Sequence, residues 1–239
     1  MKRLGTIACL VAGLGVAAPS ASAATLTVFE LAFNVNGTTY SSMDGQLDRD
    51  FPVQGLANPS AFLASGLGSL TLDFKPAVAA TTTFNLAVLL DLEIDETFNT
   101  FFNEYGEAHG VAPAGMSWEI DEPGFSFGDI YANLKSGVLD NTNGVADPLR
   151  DDVAMALAWS FTLDPGEWAQ LTFGTSLTPP GGFYLSQTDP DSAVGALGTS
   201  VYFNGRLDIK DGGPPISEPT TLLMLGIGLV ASARRFRRH

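Results

Sequence analysis

Hydrophobic and polar positions alternate with a period of two over long stretches of this chain. Phe84, Leu86, Val88, Leu90, Leu92 and Ile94 fall on one side of an extended segment, and that spacing places every second side chain on one face of a β-strand. The other side, Thr83, Asn85, Ala87, Leu89, Asp91 and Glu93, turns polar toward its end. A second run, Val153, Met155, Leu157, Trp159, Phe161 and Leu163, alternates with Ala154, Ala156, Ala158, Ser160 and Thr162. It meets the turn tetrad Asp164-Pro165-Gly166-Glu167 and resumes from Trp168 to Gly174, with Ala169, Leu171 and Phe173 on one face. This pattern predicts a hairpin with a four-residue connection. Asn36-Gly37, between Phe29–Val35 and Thr38-Thr39-Tyr40, predicts a tight hairpin because both residues tolerate positive φ.

Shorter strands are predicted at Leu70–Phe74, Ser117–Asp121, Phe183–Gln187 and Val201–Ile209, with Gly205 marking a bulge in the last. Helical signals are few. Phe98, Phe101, Phe102 and Tyr105 fall at i, i+3, i+4 and i+7, one apolar stripe of a short helix that Gly106 would stop. Asp129 to Lys135 predicts one or two further turns. Many short strands separated by glycine and proline predict a mainly β domain, an antiparallel β-sandwich or jelly roll.

The two ends of the chain follow a different pattern. Met1-Lys2-Arg3 leads an apolar run from Leu4 to Ala18 that closes in Ala21-Ser22-Ala23. A basic start, an apolar middle and small residues at Ala21 and Ala23 make a secretory signal peptide over residues 1–23. At the other end, Ser217-Glu218-Pro219 precedes an apolar run from Thr220 to Ala233, followed by Arg234, Arg235, Arg237 and Arg238. Fourteen helical residues span about 21 Å at ~1.5 Å each, short of a bilayer core of about 30 Å. Arginine snorkelling and helix extension before Thr220 bring such a hydrophobic helix to a marginal span, with the arginines on the cytoplasmic side. Residues 24–210 then form the ectodomain, 211–216 a Gly/Pro spacer, and 217–239 the tail.

The tail resembles PEP-CTERM, the C-terminal sorting signal of exported proteins in Gram-negative bacteria that make extracellular polysaccharide. Glu218 and Pro219 match its Pro-Glu-Pro motif, Ser217 stands where the first proline is usual, and Gly226, Gly228 and the Arg-Arg-x-Arg-Arg ending agree. The resemblance implies transient anchorage in the inner membrane, processing by an exosortase-like membrane enzyme, and a final place at the cell surface or outside the cell. It also implies a role tied to the envelope, exopolysaccharide or biofilm.

Charge narrows the partners. Between Ala24 and Pro215 lie six basic and 25 acidic residues, a net charge of −19. Such a domain repels nucleic acid and anionic surfaces, so nucleic-acid binding is excluded. The single cysteine, Cys9, sits in the signal segment, leaving no disulfide or thiolate chemistry to the ectodomain.

Catalytic signals are sparse. A Ser-His-Asp arrangement would have to use His109, which is expected in a loop from Gly106 to Gly115, and there is no nucleophile elbow. Same-face carboxylates at Asp91, Glu93 and Asp95, or at Glu119 and Asp121, have the residue types of a glycosidase pair, but chance supplies such pairs in so acidic a domain. Calcium takes hard oxygen ligands from loops. Asp140, Asn143 and Asp147 are the candidates, with Asp151 and Asp152 close behind, although Thr142 at position three, an early Gly144 and the missing terminal glutamate depart from an EF-hand, and a solvated turn is the simpler explanation. Asp44, Asp48 and Asp50 form a similar cluster. Among the tryptophans, Trp159 belongs to a core face, whereas Trp118 and Trp168 are candidates for stacking on sugars. Phe125 and Phe127 are expected to plug the core. Two readings result: a non-enzymatic exported surface or matrix protein, or an extracellular carbohydrate-binding or glycan-active β-sandwich.

Overall fold

In the computed structural model, which describes residues 25–43, 60–76, 80–96, 100–124, 126–191 and 198–212, the strand patterns resolve into two five-stranded antiparallel sheets. The signal segment and the sorting tail with its expected helix lie outside the described residues, as do Asp44, Asp48, Asp50 and Phe125. Among the described residues no helix is long and apolar enough to cross a membrane.

The first sheet starts from the expected hairpin. β1 (Leu26–Val35) and β2 (Thr38–Ser41) pair with Val35 opposite Thr38, and Asn36 and Gly37 both take positive φ, 51° and 88°. β1 then pairs with β4 (Thr82–Ile94), β4 with β7 (Ala154–Leu163), and β7 with β6 (Met116–Asp121). The second sheet runs β3 (Gly68–Phe74), β8 (Glu167–Ser176), β10 (Thr199–Asp211), β9 (Tyr184–Asp189) and β5 (Tyr105–His109). Between the sheets lies one apolar core. Leu86, Val88, Leu90, Leu92 and Ile94 of β4 and Leu157, Trp159 and Phe161 of β7 meet Leu72, Leu171, Phe173 and Phe203 of the opposing sheet. Each fully buried side chain of this kind contributes about 1.5–3 kcal/mol. The architecture is an antiparallel β-sandwich.

The outer face of the first sheet is also covered. α2 (Ile130–Ser136), expected from Asp129 to Lys135, buries Ile130 and Leu134 against Ala32, Ala87, Leu89, Ala154, Ala156 and Ala158. The alanines of β7 are small enough to let the helix lie close to the sheet. Asn34 donates from Nδ2 to the Leu134 and Lys135 carbonyls at 2.8 and 2.9 Å, satisfying the end of the helix. A six-residue helix, α1 (Ser60–Ser65), which the sequence pattern did not signal, seals one edge of the core with buried Phe62.

Three expectations change. The Asp164–Glu167 turn joins no hairpin, since β7 pairs with β4 while β8 enters the other sheet. The tetrad is an arch between sheets, closed by Glu167 N–H to the Asp164 carbonyl at 3.0 Å and by Asp164 N–H to Glu167 Oε2 at 2.7 Å. The large apolar faces of the two runs meet across the core, which a flat hairpin would prevent. Phe98 lies outside the described residues, and the rest of its expected stripe, Phe101, Phe102 and Tyr105, is not an α-helix either. Phe101–Asn103 is a 3-10 turn capped by Thr100, and Tyr105 begins β5.

Gly205 makes no bulge, because the β8–β10 register runs unbroken through Gly205 opposite Phe173. A side chain there would meet the Trp159 ring, with Cζ2 2.6 Å from an added Cβ. The bulge lies instead in β1, where Val28 faces Leu92 and Glu30 faces Asp91, leaving Phe29 as the extra residue.

Gly205→Ala should therefore destabilise the domain by about 1–3 kcal/mol, the range for overpacking a core. Gly181→Ala, at a site with nothing within 4 Å, should be close to neutral. Thermal unfolding of the two variants measures the difference.

Candidate functional site

The outer face of β4 starts with exposed Thr83 and Asn85, continues with Ala87 and Leu89 under α2, and then presents Asp91 and Glu93. These two carboxylates are not solvated. Asp91 is 1% exposed and Glu93 5%, because the 3-10 turn, residues 122–124 and 126–127, and the segment before β7 close over that end of the sheet. They line a cleft of about 420 Å³ with Asp152 and a rim of Phe29, Phe101, Phe102 and Phe127. The β1 bulge sets Phe29 at this rim, 48% exposed, while Phe102 and Phe127 are 60% and 71% exposed. Gly128, at φ 76°, shapes the far wall, since a side chain there would collide with the Glu122 carbonyl. Glu96, Glu122 and Asp151 also line the cleft, and no basic residue is among its described lining.

One oxygen each of Asp91, Glu93 and Asp152 lies within 4.8 Å of the other two. Asp91 Oδ1 and Glu93 Oε2 are buried with no hydrogen-bond partner, a costly arrangement for ionised groups. Burial, reinforced by Asp152, Glu93 and Glu30, pushes the Asp91 carboxyl up to about 9. Burial likewise raises Glu93 to about 8, with Asp152 and Glu96 adding repulsion, and lifts Asp152 to about 6, with Asp151 as the next cause. Asp95, expected on the same face, instead accepts from Thr25 N–H at 2.6 Å.

A further buried carboxyl lies beside this end of β4. Glu104, 0% exposed, accepts from Ile94 N–H at 3.4 Å and from Gln187 Nε2. The same Gln187 nitrogen donates to the Leu92 carbonyl, so a residue of β9 ties the second sheet to β4. Burial is the main reason the Glu104 carboxyl rises to about 9.

The other expected site residues are dispersed. Asp140 joins Glu119 and Asp129 within 4.8 Å, and Asp147 is not in that group. Asn143 donates to the Gly106 carbonyl at 2.7 Å, and Asp147 pairs with Arg150 at 2.8 Å. Both Glu119 oxygens already have donors, Asn133 Nδ2 at 3.0 Å and Asp140 N–H at 3.4 Å. Asp121, its expected same-face partner, accepts from Asp129 N–H at 2.8 Å.

Trp168, expected to face solvent, is 5% exposed, and Lys210 Nζ stands 4.6 Å from its ring centroid. Trp118 is half-buried and packs on Phe183, 6.1 Å between centroids. Trp159 is in the core as expected, and Phe127 is at the cleft rim rather than in the core.

His109 ends β5 rather than sitting in a loop, and its Nε2 lies 3.0 Å from Ser186 Oγ. The nearest carboxylate, Glu107, approaches that same nitrogen at 3.8 Å, and Ser186 is 2% exposed. A triad needs its acid on the other ring nitrogen and an accessible nucleophile.

Residues 215–238 match the PEP-CTERM protein-sorting motif. The motif covers Ser217, Glu218, Pro219 and the four arginines. It supports export and membrane-associated sorting by exosortase, a membrane enzyme, and the match does not extend to the β-sandwich. No curated protein and no solved structure matches the chain.

The raised Glu104 carboxyl sets a pH dependence. Unfolding returns it to an ordinary value near 4.5, so between that pH and about 9 the unfolded chain releases a proton that the folded one keeps. The contribution is complete below the unfolded value and is lost as pH rises through the folded one. Tm in EDTA should fall from pH 5 to pH 9, and Glu104→Gln should flatten the slope. A Tm that does not change across this range would show that Glu104 is ionised in the fold.

Proposed function

We propose that this chain is a non-enzymatic exported protein of the cell surface or extracellular matrix. Its β-sandwich travels through the inner membrane and is released or retained by exosortase-like processing at Ser217-Glu218-Pro219. The observation carrying this reading is the sorting motif at 215–238, placed directly behind the Gly/Pro spacer that follows the last strand of the sandwich. The apolar run acts as a stop within the bilayer, and Arg234, Arg235, Arg237 and Arg238 hold its end on the cytoplasmic side. The signal segment, with its small residues at Ala21 and Ala23, supports export from the front of the chain.

A non-enzymatic role is supported by the site chemistry. Ser186 is shielded, and the Glu107 carboxylate meets the wrong ring nitrogen for a triad. The covered ring of Trp168 argues against sugar stacking at that position. We assign the work of the domain to display or packing in the envelope or polysaccharide matrix, which its large negative charge suits by keeping it soluble and hydrated.

Intact mass and the C-terminal peptide of the protein taken from its native cell surface test this reading. The expected product starts near Ala24 and ends close to Ser217-Glu218-Pro219, with the arginines left behind. A product still ending at His239 would sink exosortase processing and make the tail a permanent anchor.

A further inference from the structure

We propose that the cleft formed by Asp91, Glu93 and Asp152 is a binding site for a divalent cation of the hard, oxygen-seeking class, with calcium as its ion. Three observations converge on it. The first is geometric. Three oxygens no more than 4.8 Å apart all fit within about 2.8 Å of a common point, close to the 2.3–2.6 Å of a calcium–oxygen contact.

The second is the state of the oxygens. Asp91 Oδ1 and Glu93 Oε2 belong to side chains at least nine-tenths buried, line the cleft, and have no hydrogen-bond donor. Native folds rarely leave such atoms unsatisfied, and an ion supplies both with a partner. The Glu119–Asp129–Asp140 group offers the contrast, since both Glu119 oxygens are already satisfied by donors.

The third is the absence of any other counter-charge. The described lining of the cleft contains six carboxylates and no lysine or arginine, so their mutual repulsion is relieved only by protons or by a cation from solution. Asp151, Glu122 and Glu96 stand in the same cleft and, with water, fill out the six to eight ligands that calcium takes. Magnesium demands a near-ideal octahedron at shorter distances, which a wide cleft with an aromatic rim does not impose. The rim also lowers the local dielectric, strengthening the attraction of carboxylates for an ion once it is inside.

The site is independent of how the tail is processed, so its test is separate from that of the sorting reading. The full-length protein is stripped with EDTA, desalted, and titrated with calcium chloride in 0.15 M sodium chloride by calorimetry and by thermal unfolding. One saturable site is expected, with Tm rising by about 5–10 °C at a hundredfold excess over Kd. Asp91→Asn and Glu93→Gln should each weaken binding at least tenfold. Asp152→Asn, at a half-buried position that folding tolerates more readily, should do the same, while Asp140→Asn at the other carboxylate group should leave binding intact. The proposal is overturned by the absence of heat and Tm shift up to 10 mM calcium. It is overturned equally by a response that survives Asp152→Asn, which would mark diffuse binding to an acidic surface, or by an equal response to magnesium.

Discussion

From Ala87 onward the outer face of β4 must be kept dry at Ala87 and Leu89 and then close over the carboxyls of Asp91 and Glu93, and the neighbouring elements are disposed around that change. A central strand whose inner face carries Leu86 to Ile94 cannot slip by one residue without exposing them all, so its outer face is fixed as well. Ala87 and Leu89 therefore need a cover, which α2 provides through Ile130 and Leu134. That cover sits close only because β7 presents Ala154, Ala156 and Ala158 beside it. Beyond Leu89 the helix no longer reaches, and the strand continues with Asp91 and Glu93 under loops instead. The bulge at Phe29 belongs to the same solution. It advances β1 by one residue, placing an aromatic ring at the rim while Glu30 falls opposite Asp91.

Closing loops over carboxylates opposes folding, since desolvation disfavours their charged form. The fold tolerates this because the loops are held elsewhere. Asp151 N–H donates to the Glu104 carbonyl at 3.0 Å, Asp129 N–H to Asp121 Oδ2 at 2.8 Å, and Gln187 ties β9 to both Leu92 and Glu104. These bonds position the cleft walls independently of what the cleft contains. The sandwich core on the other side of β4 supplies the apolar burial that offsets the penalty.

Much of this was legible in the sequence, and the failures have physical causes. Alternation placed β4, β7 and the shorter strands because period two is a local property of a half-buried strand, and Asn36-Gly37 fixed a turn through backbone conformation alone. The Asp164–Glu167 arch was misread as a hairpin because a four-residue turn leads equally well to the neighbouring strand or across the core. Which it does depends on whether β4 has already taken β7, a contact far away in the chain. The spacing of Phe98, Phe101, Phe102 and Tyr105 imitates a helical stripe, yet Phe101 and Phe102 serve a rim and Tyr105 a strand. Trp168 lies on the outer face of its strand as alternation implies, but alternation says nothing of Lys210 on the paired strand lying over it. At the site, Asp91 and Glu93 were recognisable as a same-face pair. Asp152 was not recognisable as their partner, since only the β4–β7 register brings it alongside.

The long-range assembly of the cleft has a thermodynamic consequence for a domain with no disulfide. Its walls come from β1, the end of β4, the loop after β6 and the segment before β7, and no stretch of the unfolded chain gathers them. Anything that binds there binds the native state alone, so its free energy adds in full to the stability of the fold. Burial raises both the Asp91 and Glu93 carboxyls, so ionising them as pH rises opposes the folded state. The cleft is thus the place where the folded state is most sensitive to its surroundings, whereas the apolar core between the sheets is indifferent to them. An ion held in the cleft would tie β1, β4 and the segment before β7 together in a domain whose sequence supplies no disulfide cross-link.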